Sequence, residues 1–181
     1  MSKIKFATAI ALSLVALGAH AASSKVDLRH ASQTQTNGQA NRQSADIGSA
    51  YGSGKSDVLA NGVHQSQRGG RNNSQKLTIG TARTGGKSKV QAFDIRQTQV
   101  NGRSNRQEMH LGDARRGGES KVHAHHVSQR QTGGRNNSQY LEAGTASGGG
   151  SKSDVRMHYV SQSQSSTNGS AQSMKVGNAI R

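Results

Sequence analysis

The side chains best equipped for chemistry in this sequence are the imidazoles of His123, His125, His126 and His158. Neutral imidazole nitrogens are ligands for Zn and Cu ions. On a strand His123 and His125 share a face, because side chains alternate with a period of two. Solvent-facing histidines explain so local a cluster equally well, so no metal site and no cofactor is expected. No other catalytic set is present: there is no cysteine nucleophile, no Gly-x-Ser-x-Gly elbow and no Gly-x-x-x-x-Gly-Lys-Ser/Thr phosphate loop. Asp and Glu are scattered, without the pairing that general acid–base work needs. The expectation is a protein that is not an enzyme.

Cations are the second resource. The chain carries 24 Lys and Arg against 9 Asp and Glu, a formal net charge of +15. Arg68, Arg71, Arg103, Arg115, Arg116 and Arg135 fall in Gly-rich stretches that read as turns. On a stacked fold they would line up into stripes attractive to DNA, lipopolysaccharide or acidic polysaccharide. Arg68-Gly69-Gly70 and Arg116-Gly117-Gly118 resemble RGG-type tracts. With only three Tyr and two Phe in the chain, base stacking is not expected. The same charge also serves simply to keep subunits apart until export. Both readings stay open at this point.

The elements that must position these groups come from a repeat. Gly48, Gly80, Gly112 and Gly144 are 32 residues apart, and Gly177 follows after 33. Gln33, Gln65, Gln97, Gln129 and Gln162 keep the same step, as do Gln35, Gln67, Gln99, Gln131 and Gln164. Asn41, Asn73, Asn105 and Asn137 form a third column, and Gln43, Gln75, Gln107, Gln139 and Gln172 a fourth. One residue inserted within 147–152 explains the longer last step. At 30% apolar residues, with no Trp, Pro or Cys, the composition alone would describe disorder. A disordered chain does not hold so many positions in phase.

Within each repeat the spacing is that of strands. Asn73, Gln75, Leu77 and Ile79 alternate with polar, variable neighbours such as Lys76 and Thr78, one face inward and one in water. Val63, Gln65 and Gln67 behave likewise. The pair Val26 and Leu28 sits in the opposite parity, which predicts a bulge near residues 29–30. Turns fall at Asn37-Gly38, Gly69-Gly70, Asn101-Gly102 and Gly133-Gly134, and looser linkers such as 83–87 join one repeat to the next. Stacked strands lie roughly 4.8 Å apart, so each Gln or Asn sits over its equivalent and can form an amide ladder. The predicted fold is all-β: a β-arch solenoid of two parallel sheets, one strand of each per repeat, with Gln, Asn and small apolar residues between them.

The pattern apolar-x-Gln-x-x-Gly-Gly-x-Asn-Asn-x-Gln, read from Val63 or Val127, resembles the curlin repeat. That resemblance implies a secreted bacterial subunit with about five repeats that assembles into functional amyloid on the cell surface. Its partners would be copies of itself, related fibre subunits and an outer-membrane secretion machinery. The N-terminus fits export: Lys3 and Lys5 precede an apolar run at 6–17, and Ala19-His20-Ala21 offers the small residues of a cleavage site. Residues 1–21 are therefore predicted to be a signal peptide. Residues 22–181 are predicted to be the repeat domain (24–55, 56–87, 88–119, 120–152 and 153–181), with no transmembrane segment. The fifth repeat differs: Ser165-Ser166-Thr167 replaces the Gly turn and Ser170 takes the Asn column. The expected function is a structural subunit of extracellular fibres for biofilm and adhesion, the divergent last repeat suiting a minor or nucleating one. The alternatives are a monomeric basic solenoid that grips polyanions and a disordered cationic chain.

Overall fold

The computed structural model describes residues 24–38, 40–50, 54–165 and 168–180. The predicted signal peptide at 1–21 lies outside the described residues. Long and short strands alternate: β1 (Ser24–Thr36), β2 (Arg42–Ala50), β3 (Lys55–Arg68), β4 (Ser74–Ala82), β5 (Lys87–Val100), β6 (Arg106–Ala114), β7 (Glu119–Thr132), β8 (Ser138–Ser147), β9 (Lys152–Ser165) and β10 (Ala171–Ile180). The odd strands form one five-stranded sheet, ordered β1-β3-β5-β7-β9, and the even strands the other, β10-β8-β6-β4-β2. Every pairing is parallel and places each residue beside its equivalent one repeat away, for example Gln65 beside Gln97 and Gln75 beside Gln107. The fold is a parallel β-solenoid of about five turns.

Two irregular columns shape each turn. At His30, Gly62, Asp94, His126 and Tyr159 the backbone has positive φ, 52–67°, and the pairing skips that residue. This is the predicted bulge. It reverses the side-chain parity, so that Val58 and Ala60 before it, and Val63 and Gln65 after it, all face inward. The second column is Gly48, Gly80, Gly112, Gly144 and Gly177, with φ of 65–69°. A Cβ added at Gly80 would lie 2.3 Å from Cγ2 of Val90 on the facing strand. Only glycine fits there, and the Ser88 hydroxyl closes the gap by donating to the Gly80 carbonyl at 2.7 Å.

The core lies between the two sheets. Val58, Ala60, Leu77, Ile79, Ala92, Ile95, Met109 and Leu141 have at most 1% of their surface exposed. One expectation changes: the linkers are not loose. Arg115 N donates to Ala82 O at 3.0 Å and Gly117 N to Ser147 O at 2.8 Å, so the connections continue the ladder from repeat to repeat. Left-handed residues at Thr84, Gly85, Arg116 and Gly117 allow it. The inserted residue sits in the 148–151 loop, where Ser151 N turns back onto Gly148 O at 3.1 Å.

Candidate functional site

The constant polar residues meet inside the solenoid. Gln65 Nε2 donates to Gln33 Oε1 at 2.7 Å, Gln97 to Gln65 at 2.8 Å, Gln129 to Gln97 at 2.7 Å and Gln162 to Gln129 at 2.7 Å. A second column runs beside it: Gln67 to Gln35 at 3.1 Å, Gln99 to Gln67 and Gln131 to Gln99 at 2.7 Å, and Gln164 to Gln131 at 2.6 Å. The short strands carry the third: Gln75 to Gln43, Gln139 to Gln107 and Gln172 to Gln139 at 2.8 Å, and Gln107 to Gln75 at 2.9 Å. All three donate toward the preceding repeat.

Each amide nitrogen has a second N–H, and sequence reasoning missed where it goes. It crosses to the opposite sheet: Gln65 to the Lys76 carbonyl at 3.2 Å, Gln97 to Glu108 at 3.0 Å, Gln99 to Arg106 at 3.3 Å and Gln129 to Tyr140 at 3.1 Å. A buried amide is costly unless its groups are paired. These four Gln side chains pair along the stack and across it at once.

The Asn column runs the other way. Asn41 Nδ2 donates to Asn73 Oδ1 at 3.0 Å and Asn73 to Asn105 at 2.9 Å. It stops there: Asn105 Nδ2 and Asn137 Oδ1 are buried without a partner, as is Asn41 Oδ1 at the N-terminal end. Asn137 donates instead to the Gly133 carbonyl at 3.1 Å.

The columns leave two unlike ends. At β10 no donor among the described residues reaches Oε1 of Gln162, Gln164 or Gln172, and Met174 and Val176 are 44% and 49% exposed. At β1, Gln33 Nε2 donates across to Ser44 O at 3.3 Å and Gln43 Nε2 to Ser66 O at 3.2 Å, so each keeps one N–H without a partner along the stack. Val26, Leu28 and Ala31 are only partly buried there.

The six arginines do not form one surface. Arg71, Arg103 and Arg135 stack in register as parallel bridges on the turn edge, all exposed and none in an ion pair among the described residues. Arg68 ends β3 beside that edge. Arg115 and Arg116 lie on the opposite, linker edge, and Arg115 is held by Asp113 at 2.8 Å, which raises its pKa.

On the outer faces carboxylates sit between cations of neighbouring repeats. Glu119 meets Lys87 at 3.2 Å and Lys121 at 3.0 Å, and those ammonium groups, Lys121 first, hold its carboxyl below the usual range. Burial alone would push Glu142 up, yet bonds from Thr145, Tyr140 and His110 hold it low. Burial, and then the Glu142 carboxylate at 2.9 Å, push the Tyr140 phenol up to about 12.

The imidazoles come together with rings that the sequence reading passed over. His158 pairs in register with His125, their ring centres 5.9 Å apart, and His126 and Tyr159 stack at 4.9 Å with 13° between planes. Phe93 lies 6.2 Å from His123. Phe93, His125 and His158 share one column, and His126 and Tyr159 the next, at the repeat's own step. That step was the signal available. No three His, Asp or Glu side chains among the described residues are gathered so as to hold a metal ion.

Fold and interior define a parallel β-solenoid whose core is built on amide columns. The chain matches no family model, no curated protein and no solved structure.

Proposed function

We propose that this chain is a structural subunit of extracellular, curli-like amyloid fibres that serve biofilm matrix and adhesion, without enzymatic activity. The observation that carries the reading is the direction of the Gln columns. Their unpaired N–H groups face out at the β1 end and their unpaired carbonyls at the β10 end. One copy's β10 end complements the next copy's β1 end, and edges of this kind recruit further strands. Half-exposed Met174 and Val176 would be covered in the same step. Export through a signal peptide at 1–21 and an outer-membrane secretion machinery belong to this reading, as does the release of residues 22–181 at the cell surface.

Thioflavin fluorescence and fibre diffraction of residues 22–181 test it. The expected result is strong fluorescence and a repeat near 4.8 Å along the fibre axis. A chain that stays monomeric at every concentration tried would sink the proposal. A second reading rests on the arginine row: like charges stacked at strand spacing repel unless an anion bridges them. Arg71, Arg103 and Arg135 then make the turn edge a contact for DNA, lipopolysaccharide or acidic polysaccharide.

A further inference from the structure

The rings on the outer face of the odd-strand sheet carry an inference beyond fibre formation and separate from the arginine edge. We infer that this face binds single-stranded nucleic acid, with bases stacking on His126 and Tyr159 and phosphates held by Arg96 and Arg130.

The bulge column points to the rings first. Position 62, in the second repeat, is a glycine, which takes the positive φ of the bulge freely. In the fourth and fifth repeats the same position holds His126 at φ 56° and Tyr159 at φ 54°, a conformation bulky residues rarely adopt. His30 and Asp94 hold the same positive φ in the first and third repeats, so the bulge does not require a ring, and in the last two repeats it carries two rings side by side. Together they form an open platform. Tyr159 is 73% exposed and stacks on His126, and His125 meets Tyr159 edge-on at 5.0 Å between centres.

Charge then selects the ligand. Beside the platform a groove runs across β5, β7 and β9, lined by Arg96, Arg130, Ser128 and Ser163 together with the two rings, and no carboxylate lines it. Arg130 has no ion-pair partner among the described residues, and Arg96 shares Asp94 with His64. Arginines and hydroxyls along a groove follow a phosphate backbone, while tyrosine and histidine faces stack on bases of any sequence. In a duplex the bases are already stacked and cannot reach the rings. An acidic polysaccharide would meet the arginines without using the π faces of the imidazoles. The groove lies on a sheet face but includes β9, the last strand of its sheet and part of the end where repeats would add, so this binding belongs to the free chain.

The test is fluorescence anisotropy of a labelled, mixed-sequence 20-nucleotide DNA strand with dilute, freshly purified chain. Its competitors are the duplex of the same sequence and polygalacturonate. Single strands should compete best. The pair His126→Gly with Tyr159→Gly should keep the fold, as Gly62 does, and weaken single-strand binding by on the order of tenfold per ring lost. Duplex and polygalacturonate binding should stay the same. Arg130→Ser should weaken all three ligands and lower the salt slope by about 1. Should the double glycine variant lose its β-sheet circular dichroism, Tyr159→Asn, whose side chain tolerates positive φ, replaces it with an expected loss of on the order of tenfold for the one ring removed. Unchanged single-strand affinity in the ring variants, or equal competition by duplex and polygalacturonate, would overturn the inference and leave charge alone as the cause.

Discussion

Along β5 neighbouring residues live under different rules. Gln97 and Gln99 face inward and meet copies of themselves, whereas Arg96 and Thr98 face outward and meet His64 or Ser66 on one side and Ser128 or Arg130 on the other. Stacking in register places every inward side chain against its own kind, so only self-complementary groups survive there. A primary amide carries both donor and acceptor and qualifies; an ammonium or a carboxylate does not. Outside, water relaxes the rule, and charged residues stand beside unlike ones, as Lys87 beside Glu119, or beside like ones, as Arg71 beside Arg103. The constant and variable positions of this sequence follow from that one difference.

The comparison breaks most severely if the inside is made unlike itself. Replacing Gln65, Gln97 and Gln129 together with Leu strips both amide bonds at each site, the one along the column and the one to the facing carbonyl of Lys76, Glu108 or Tyr140. Each site should lose roughly 1–3 kcal/mol, read as a lower urea midpoint and as fibre growth slowed or abolished. The outward set Lys76, Glu108 and Tyr140 changed to Ser should matter far less. Equal effects from the two sets would remove the distinction.

Glycine offers a second contrast. Gly80→Ala adds a Cβ at 2.3 Å from Val90 in a left-handed position, whereas Gly150→Ala, also left-handed, meets nothing within 4 Å. Overpacking adds about 1–3 kcal/mol to the backbone strain common to both, so thermal unfolding should fall markedly further for the first.

Charge reversal at Arg71, Arg103 and Arg135 sharpens the outer half of the comparison. Any polyanion bound at the turn edge should lose affinity and part of its salt dependence, about 0.9 in log–log slope per phosphate contact removed. Assembly should continue. Binding indifferent to salt would set the arginine row aside.

The smallest effect belongs to Tyr140. Its phenol is pushed up to about 12 by burial and by Glu142. The folded pKa lies above the unfolded value near 10, so the protonated phenol contributes stability at neutral pH that is lost as pH rises from about 10 through 12. Tyr140→Phe should delete the late step in the ultraviolet phenolate titration while costing about 1 kcal/mol or less at pH 7.

Much of this was legible in the sequence because translation repeats residue identity. The Gln and Asn columns, both strands, the turns and the bulge near residues 29–30 could all be read from a constant step of 32. Three things could not. The second amide N–H bonds to backbone carbonyls, which carry no residue identity. The linkers repeat Arg83, Gly85 and Gly86 as Arg115, Gly117 and Gly118, but glycine-rich letters read as looseness and do not show that the backbones pair in register. The column of His125 and His158 could be read from the step, but its continuation to Phe93 and the neighbouring Tyr159 escaped because those residues differ in type from the histidines beside them, and counting Phe and Tyr over the whole chain hid how few places they occupy. The same count gave the expectation against base stacking, which the gathered rings reopen.

The common direction of the Gln columns gives the molecule an electrical axis. A primary amide has a dipole close to that of a peptide unit, about 3.5 D. Twelve inter-repeat Gln bonds align theirs along the solenoid, opposed by only two from Asn. The β1 face is thereby the positive pole and the β10 face the negative one. Joined in series, such units add their moments rather than cancel them, so a filament would turn in an electric field and its two tips would lengthen at unequal speeds.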